Sequence, residues 1–88
     1  MDILYDPKKN AANIKKHGVD FEDAQAVLLD PFAFTWDAED EQRFLQLGTD
    51  AVGRILVVVF TYRDEEICLI AAWKVNDKQR KRYEAGHL

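Results

Sequence analysis

Two nearly unbroken apolar runs limit what this chain can fold into. Residues 55–62 read Ile-Leu-Val-Val-Val-Phe-Thr-Tyr and residues 67–73 read Ile-Cys-Leu-Ile-Ala-Ala-Trp, with only Arg63-Asp64-Glu65-Glu66 between them. Runs this rich in β-branched and aromatic residues, each too short for a buried helix, predict central strands covered on both faces and joined by a short hairpin loop. A sheet covered on both faces needs partners from elsewhere in the chain, and the flanking sequence supplies them. Asp6-Pro7 predicts a helix start, because Asp caps exposed N–H groups and Pro is tolerated in the first turn. Gly18 predicts its end after the basic run Lys15-Lys16-His17, whose charge suits the negative end of the helix dipole. A second helix begins at Asp20, with Phe21, Ala24, Val27 and Leu28 as its apolar stripe, and stops at Asp30-Pro31.

From Phe32 the period changes to two. Phe32, Phe34 and Trp36 alternate as in a half-buried strand ahead of an acidic loop, residues 37–41, and Arg43, Leu45 and Leu47 share one face of the next strand. Residues 49–53 form a turn, and Asn76 caps a final basic helix running to about Glu84. A short strand over residues 3–5 completes the order. The expected class is therefore α+β: two N-terminal helices packed on an antiparallel β-sheet meander, with a C-terminal helix. At 88 residues there is room for one domain, residues 1–88.

Composition and charge then narrow the function. The single cysteine, Cys68, cannot form an intrachain disulfide and suits a reducing compartment. The N-terminus lacks the pattern of a signal peptide, and no apolar stretch approaches membrane-spanning length, so a cytoplasmic protein is expected. The net charge of −4 argues against a general nucleic-acid coat protein. The charge is nevertheless uneven, with basic patches at Lys8 to His17 and Lys74 to Arg82 and an acidic segment between them. His17 and His87 lie at opposite ends of the chain and give no metal-ligand spacing, so neither metal nor cofactor is expected. No glycine-rich phosphate loop or nucleophile elbow is present.

What remains is a set of cations and one phenol: Lys16, His17, Arg43, Arg54, Arg63, Arg80 and Tyr83. Metal-independent RNA cleavage needs a base near the 2′-hydroxyl, an acid for the leaving 5′-oxygen, and cations where the phosphorane's charge grows. Side chains of these types provide all three. Each also has an ordinary structural role. His17 suits a helix C-terminus, Arg63 can pair with Asp64 or Glu65, and Tyr83 can fix the last helix to the sheet with its hydroxyl in water. Trp36 and Trp73 read first as packing residues, and residues 78–82 as a solvated helix face.

The order of features carries more information than any one residue. Asn13-Ile14-Lys15-Lys16-His17-Gly18-Val19-Asp20-Phe21-Glu22-Asp23-Ala24 resembles the N-x-x-K-H-G-V-x-F-E-x-A signature of the BrnT toxins. Asp30-Pro31, Arg43, Gly48, Gly53-Arg54 and Thr61-Tyr62-Arg63 follow in similar order. The resemblance implies a RelE-like fold, a type II toxin-antitoxin toxin, and a metal-independent endoribonuclease that arrests translation. It also implies an RNA substrate and a BrnA-type antitoxin with a ribbon-helix-helix segment, through which any contact with DNA would be indirect. Carried over by position, it suggests Lys16, His17, Arg63 and Tyr83 as catalytic residues and Arg43, Arg54 and Arg80 as RNA-binding ones, with Glu22 also matching.

One segment departs from the pattern. The family's I-S-A-R is here Ile70-Ala71-Ala72-Trp73, and Gln79 replaces an acid before Arg80. Tryptophan cannot imitate a bidentate guanidinium. A catalytically impaired domain that still binds its antitoxin is therefore the alternative reading.

Overall fold

The computed structural model describes residues 2–37 and 42–85, without the side chains of Phe34, Trp36 and Asp37. Most of the expected acidic loop, together with His87, lies outside the described residues. The elements in chain order are β1 (Ile3–Leu4), α1 (Pro7–His17), α2 (Phe21–Ala24), a 3-10 segment (Gln25–Leu29), β2 (Phe34–Asp37), β3 (Phe44–Thr49), β4 (Ile55–Arg63), β5 (Glu66–Lys74) and α3 (Asp77–Ala85).

α1 begins and ends where its sequence signals place it. The Asp6 carboxylate accepts from the Lys8 N–H at 2.8 Å, and Gly18 takes the left-handed conformation (φ 69°) while donating to the Ile14 carbonyl. The only buried residue of α1 is Asn13, so apolar burial does not hold this helix down. Two asparagines attach it. Asn13 donates Nδ2 to the carbonyls of Val19 and Ala72, both at 2.9 Å, and accepts from the Ala72 N–H at 3.1 Å. Asn10 bridges the Asp20 carboxylate and the Phe21 N–H. Asp20 in turn caps α2 through the Glu22 N–H. That bond first, and the Asn10 amide second, hold its carboxyl below the usual range. The cap therefore contributes above the ordinary carboxylate pKa and is lost as pH falls through the lowered one.

The second helix differs from the single α-helix expected up to Leu29. After four residues it tightens to 3-10 geometry. The cause lies in the sequence: an α-helical Val27 carbonyl would accept from residue 31, and Pro31 has no N–H. Asp30 N–H reaches Val27 at 3.2 Å instead, and the buried Gln46 donates Nε2 to the same carbonyl at 2.8 Å.

The sheet order is β1-β5-β4-β3-β2. Strands β2 to β5 form the expected antiparallel meander, but β1 pairs parallel with β5, so the five-stranded sheet is mixed. β3 begins at Phe44 rather than Arg43 and continues through Gly48 to Thr49. At the hairpin tip Arg63 pairs with Glu66, and Asp64 adopts positive φ (57°), a conformation Asp tolerates.

Opposed residues of neighbouring strands share a face. One face, with Leu56, Val58, Phe60, Leu69 and Ala72, packs against Val19, Phe21, Ala24 and Val27 from the helical segment. The other face carries Leu47 and Val57 against Val75 and Tyr83, with Leu45, Ile55 and Trp73 beside them. β4 is buried on both faces as its sequence predicts. β5 is less so, and Cys68 is only half-buried there. A register shift between Val59 and Phe60 leaves Ile70 unmatched in the β4–β5 ladder. Among the described residues no helix is long and apolar enough to cross a membrane.

Candidate functional site

The seven residues singled out from sequence occupy separate places in the fold. Lys16 and His17, at the C-terminal end of α1, open into a hollow of about 540 Å³ lined also by Trp73 and Lys74 of β5. The His17 and Trp73 rings lie 5.8 Å apart, tilted by 40°. β1 pairs only with Ile67 and Cys68, so Trp73 lies beyond the flanked part of β5. His17 is the one imidazole among the described residues. An imidazole nitrogen can take or give a proton, and the side chains of Lys16 and Lys74 share its hollow.

Arg43 and Arg63 line a second cleft, of about 530 Å³, at the hairpin end of the sheet. Lys9 of α1 and Tyr62 of β4 line it too. Tyr62 is half-exposed, and its ring stands perpendicular to Phe44 and Phe60, with centroids at 5.2 and 5.7 Å. These two phenylalanines hold the phenol ring in one orientation while leaving much of its surface open. Arg63 shows no ion pair with its neighbours Asp64 or Glu65. The cleft therefore combines three cations and a fixed aromatic ring, a combination suited to nucleotides. The sequence reading missed Lys9 and Tyr62. The signals were present: Lys9 lies two helical turns before Lys16, and Tyr62 continues the Phe60 face past the point where the helices cover it.

The remaining residues are built into the framework. Tyr83 is 4% exposed, and its hydroxyl donates to Asp30 and bonds Thr49 rather than reaching water, correcting the expectation for that group. Burial first, and the Asp30 bond second, raise its pKa. Asp30 also accepts from the N–H groups of Phe32 and Thr49, so Tyr83 closes a network joining α3, β3 and the helix end. A Cβ on Gly48 would stand 3.1 Å from the same carboxylate, so the glycine permits this close approach. Tyr83→Phe is expected to destabilise the protein by about 1–2 kcal/mol, read as a fall of roughly 4–16 °C in thermal midpoint.

Arg54, carried over as an RNA contact, is occupied internally. Its guanidinium reaches Asp50 at 2.8 Å and Asp23 at 3.8 Å and donates to the Gly18 carbonyl at 3.3 Å. The buried Asp50 also receives the N–H groups of Val52 and Arg54, so this pair fixes the β3–β4 turn against the α1–α2 junction. Arg80 lies exposed on α3, and Glu22 accepts from the Tyr5 hydroxyl at 3.1 Å.

Residues 5–79 match the model of a family described as the ribonuclease toxin BrnT of type II toxin-antitoxin systems. Among solved structures, the Brucella abortus ribonuclease toxin BrnT is similar, with a TM-score of 0.72 and 26% identity over 88% of this chain and 99% of that one. No curated protein matches the chain.

Proposed function

The chain belongs to the BrnT family of ribonuclease toxins from type II toxin-antitoxin systems, and from that premise we propose that it is a metal-independent endoribonuclease of RelE-like fold that inhibits translation in the cytoplasm. The observation that carries this reading is the hollow in which His17 meets Lys16, Lys74 and Trp73. Its residue types suit cleavage by internal transfer. The ribose 2′-oxygen attacks the adjacent phosphorus as His17 takes its proton, and the lysines face the charge that grows on the phosphorane. The bond to the 5′-oxygen then breaks and that oxygen takes up a proton, leaving a cyclic phosphate and a 5′-hydroxyl. Arg63, with Arg43 and Lys9, holds flanking phosphates in the second cleft. Tyr83 and Arg54 support the framework, and Arg80 adds positive charge on α3.

A type II toxin works with an antitoxin partner. We assign that role to a BrnA-type protein whose ribbon-helix-helix segment, rather than the toxin, contacts DNA. A second reading rests on Trp73. An aromatic ring packed beside His17, where the resemblance calls for arginine, fits a domain that keeps its antitoxin surface and has lost chemistry.

A long structured RNA incubated with the purified protein in EDTA separates the two, with Arg63→Ala prepared identically. The active reading expects cleavage by the parent and a loss of about 10- to 100-fold in kcat/KM for the variant. Because Arg63 is exposed, the thermal midpoint should stay within a few degrees. Absence of cleavage by either, with or without ribosomes, favours the antitoxin-binding reading instead.

A further inference from the structure

Alternation along β4 sends Val57, Val59, Thr61 and Arg63 to the side of the sheet on which α3 packs, and their partners on β5 go with them: Trp73, Ala71, Cys68 and Glu66. Tyr62 leaves with Phe60 toward the helical segment instead. Among the described residues α3 covers one end of this side, by setting Val75 and Tyr83 against Leu47 and Val57. Beyond it lie Leu45, Ala71, Thr61 and Cys68, all half-buried, and Arg63, which is exposed. The two cavities meet this stretch at opposite ends. Arg63, Thr61 and Cys68 line the cleft with Arg43 and Lys9, and Trp73 lines the hollow with His17, Lys16 and Lys74. The Val59–Ala71 pair stands between them. Both β1 and Asn13 bind the outer edge of β5, so neither crosses this side. Two acids lie near the cations, Asp6 in the cleft and Glu66 across from Arg63, and Arg63 is ion-paired to neither.

A sheet face with an indole at one end and cations at both suits unpaired nucleotides, since charge follows the backbone while a ring stacks a base whatever its identity. We propose that single-stranded RNA crosses this side of the sheet from the cleft to the hollow, over Ala71, with a base stacked on Trp73 that sets the neighbouring phosphate before His17. The inference rests on the ribonuclease reading and adds to it a path, a length and a positioning residue. The Arg63–Glu66 and Val57–Trp73 pairs are six residues apart along β4, roughly 20 Å, which takes about six nucleotides stacked at about 3.4 Å each. At the middle of the path Ala71 presents only a methyl group.

Binding is measured apart from cleavage, by fluorescence anisotropy on labelled single-stranded 2′-O-methyl oligonucleotides, which lack the attacking hydroxyl. Affinity should rise with length up to about six nucleotides and then level off. Trp73→Leu should weaken binding by about 5- to 150-fold, whereas Trp73→Phe keeps a ring and recovers most of the affinity. Ala71→Glu places a carboxylate on the path and should weaken binding by about tenfold or more. Leu29→Glu makes the same change of charge on the helical side, at a residue 77% exposed, and should stay within about twofold of the parent. If Ala71→Glu does not fold, the two Trp73 variants decide alone. Trp73→Leu or Ala71→Glu binding as tightly as the parent, an equal loss in Leu29→Glu, or a parent that binds no oligonucleotide overturns the path. Cleavage by the parent under those outcomes leaves the ribonuclease reading standing. Binding that depends on Trp73 and Ala71 without any cleavage overturns the ribonuclease reading and keeps the path.

Discussion

Asn13→Ala is expected to cost about 3 kcal/mol, an effect that should appear as a fall of roughly 12–24 °C in thermal midpoint. Three backbone groups lose their partner in that variant: the carbonyls of Val19 and Ala72 and the N–H of Ala72. Each buried group left without a partner costs about 1–3 kcal/mol, and the sum is reduced by water reaching the edge of β5. No apolar residue of α1 is buried to offset the loss, so the helix should loosen as a unit. Asn13→Asp offers a sharper control. It keeps the acceptor for Ala72 N–H but replaces the donor with a charged oxygen facing two carbonyls, and should be at least as destabilising as alanine. A midpoint unchanged in both variants would mean that α1 is held by contacts other than these.

His17→Ala is expected to lower the cleavage rate by about 100- to 10,000-fold, the range for removal of a positioned proton-transfer group. The loss should fall on kcat, because His17 is assigned to the chemical step, whereas Arg63→Ala should act mainly on KM from the other cleft. A kcat unchanged in that variant would assign the proton transfer elsewhere. Stability serves as the control: His17 touches Trp73, and loss of one tilted ring contact is worth about 0.5–1.5 kcal/mol, far less than the kinetic effect.

The sequence disclosed those parts of the molecule whose causes are local. Asp6-Pro7 and Gly18 mark α1 because capping and left-handed geometry act within a turn of the helix. The runs on β4 and β5 are strands because their side chains leave few alternatives. The change to 3-10 geometry was legible in principle, since Pro31 removes the donor that Val27 needs, but Gln46 as substitute is a contact across 19 residues. The direction of β1 was not legible, because two residues carry no register of their own. Site residues divided in the same way. Arg54 and Asp50 are four apart and of opposite charge, yet the turn that makes their pairing internal is visible only once folded. Tyr83 reads as a helix residue near an arginine, whereas its position is set by Asp30, 53 residues earlier. The meeting of His17 with Trp73 depends on α1 lying over β5, which no spacing in the chain encodes.

The same side-chain amide that fastens α1 has a consequence for assembly between molecules. Beyond its short pairing with β1, β5 is the outermost strand of its side of the sheet. An open strand edge is a template on which another chain can add, in ordered complexes or in aggregates. At Ala72 the N–H and the carbonyl that would begin such a ladder are already bonded to Asn13, which occupies them as a neighbouring strand would. An incoming strand finds the row interrupted at Ala72. The first residue of the signature block thus also guards the sheet against edge-to-edge growth.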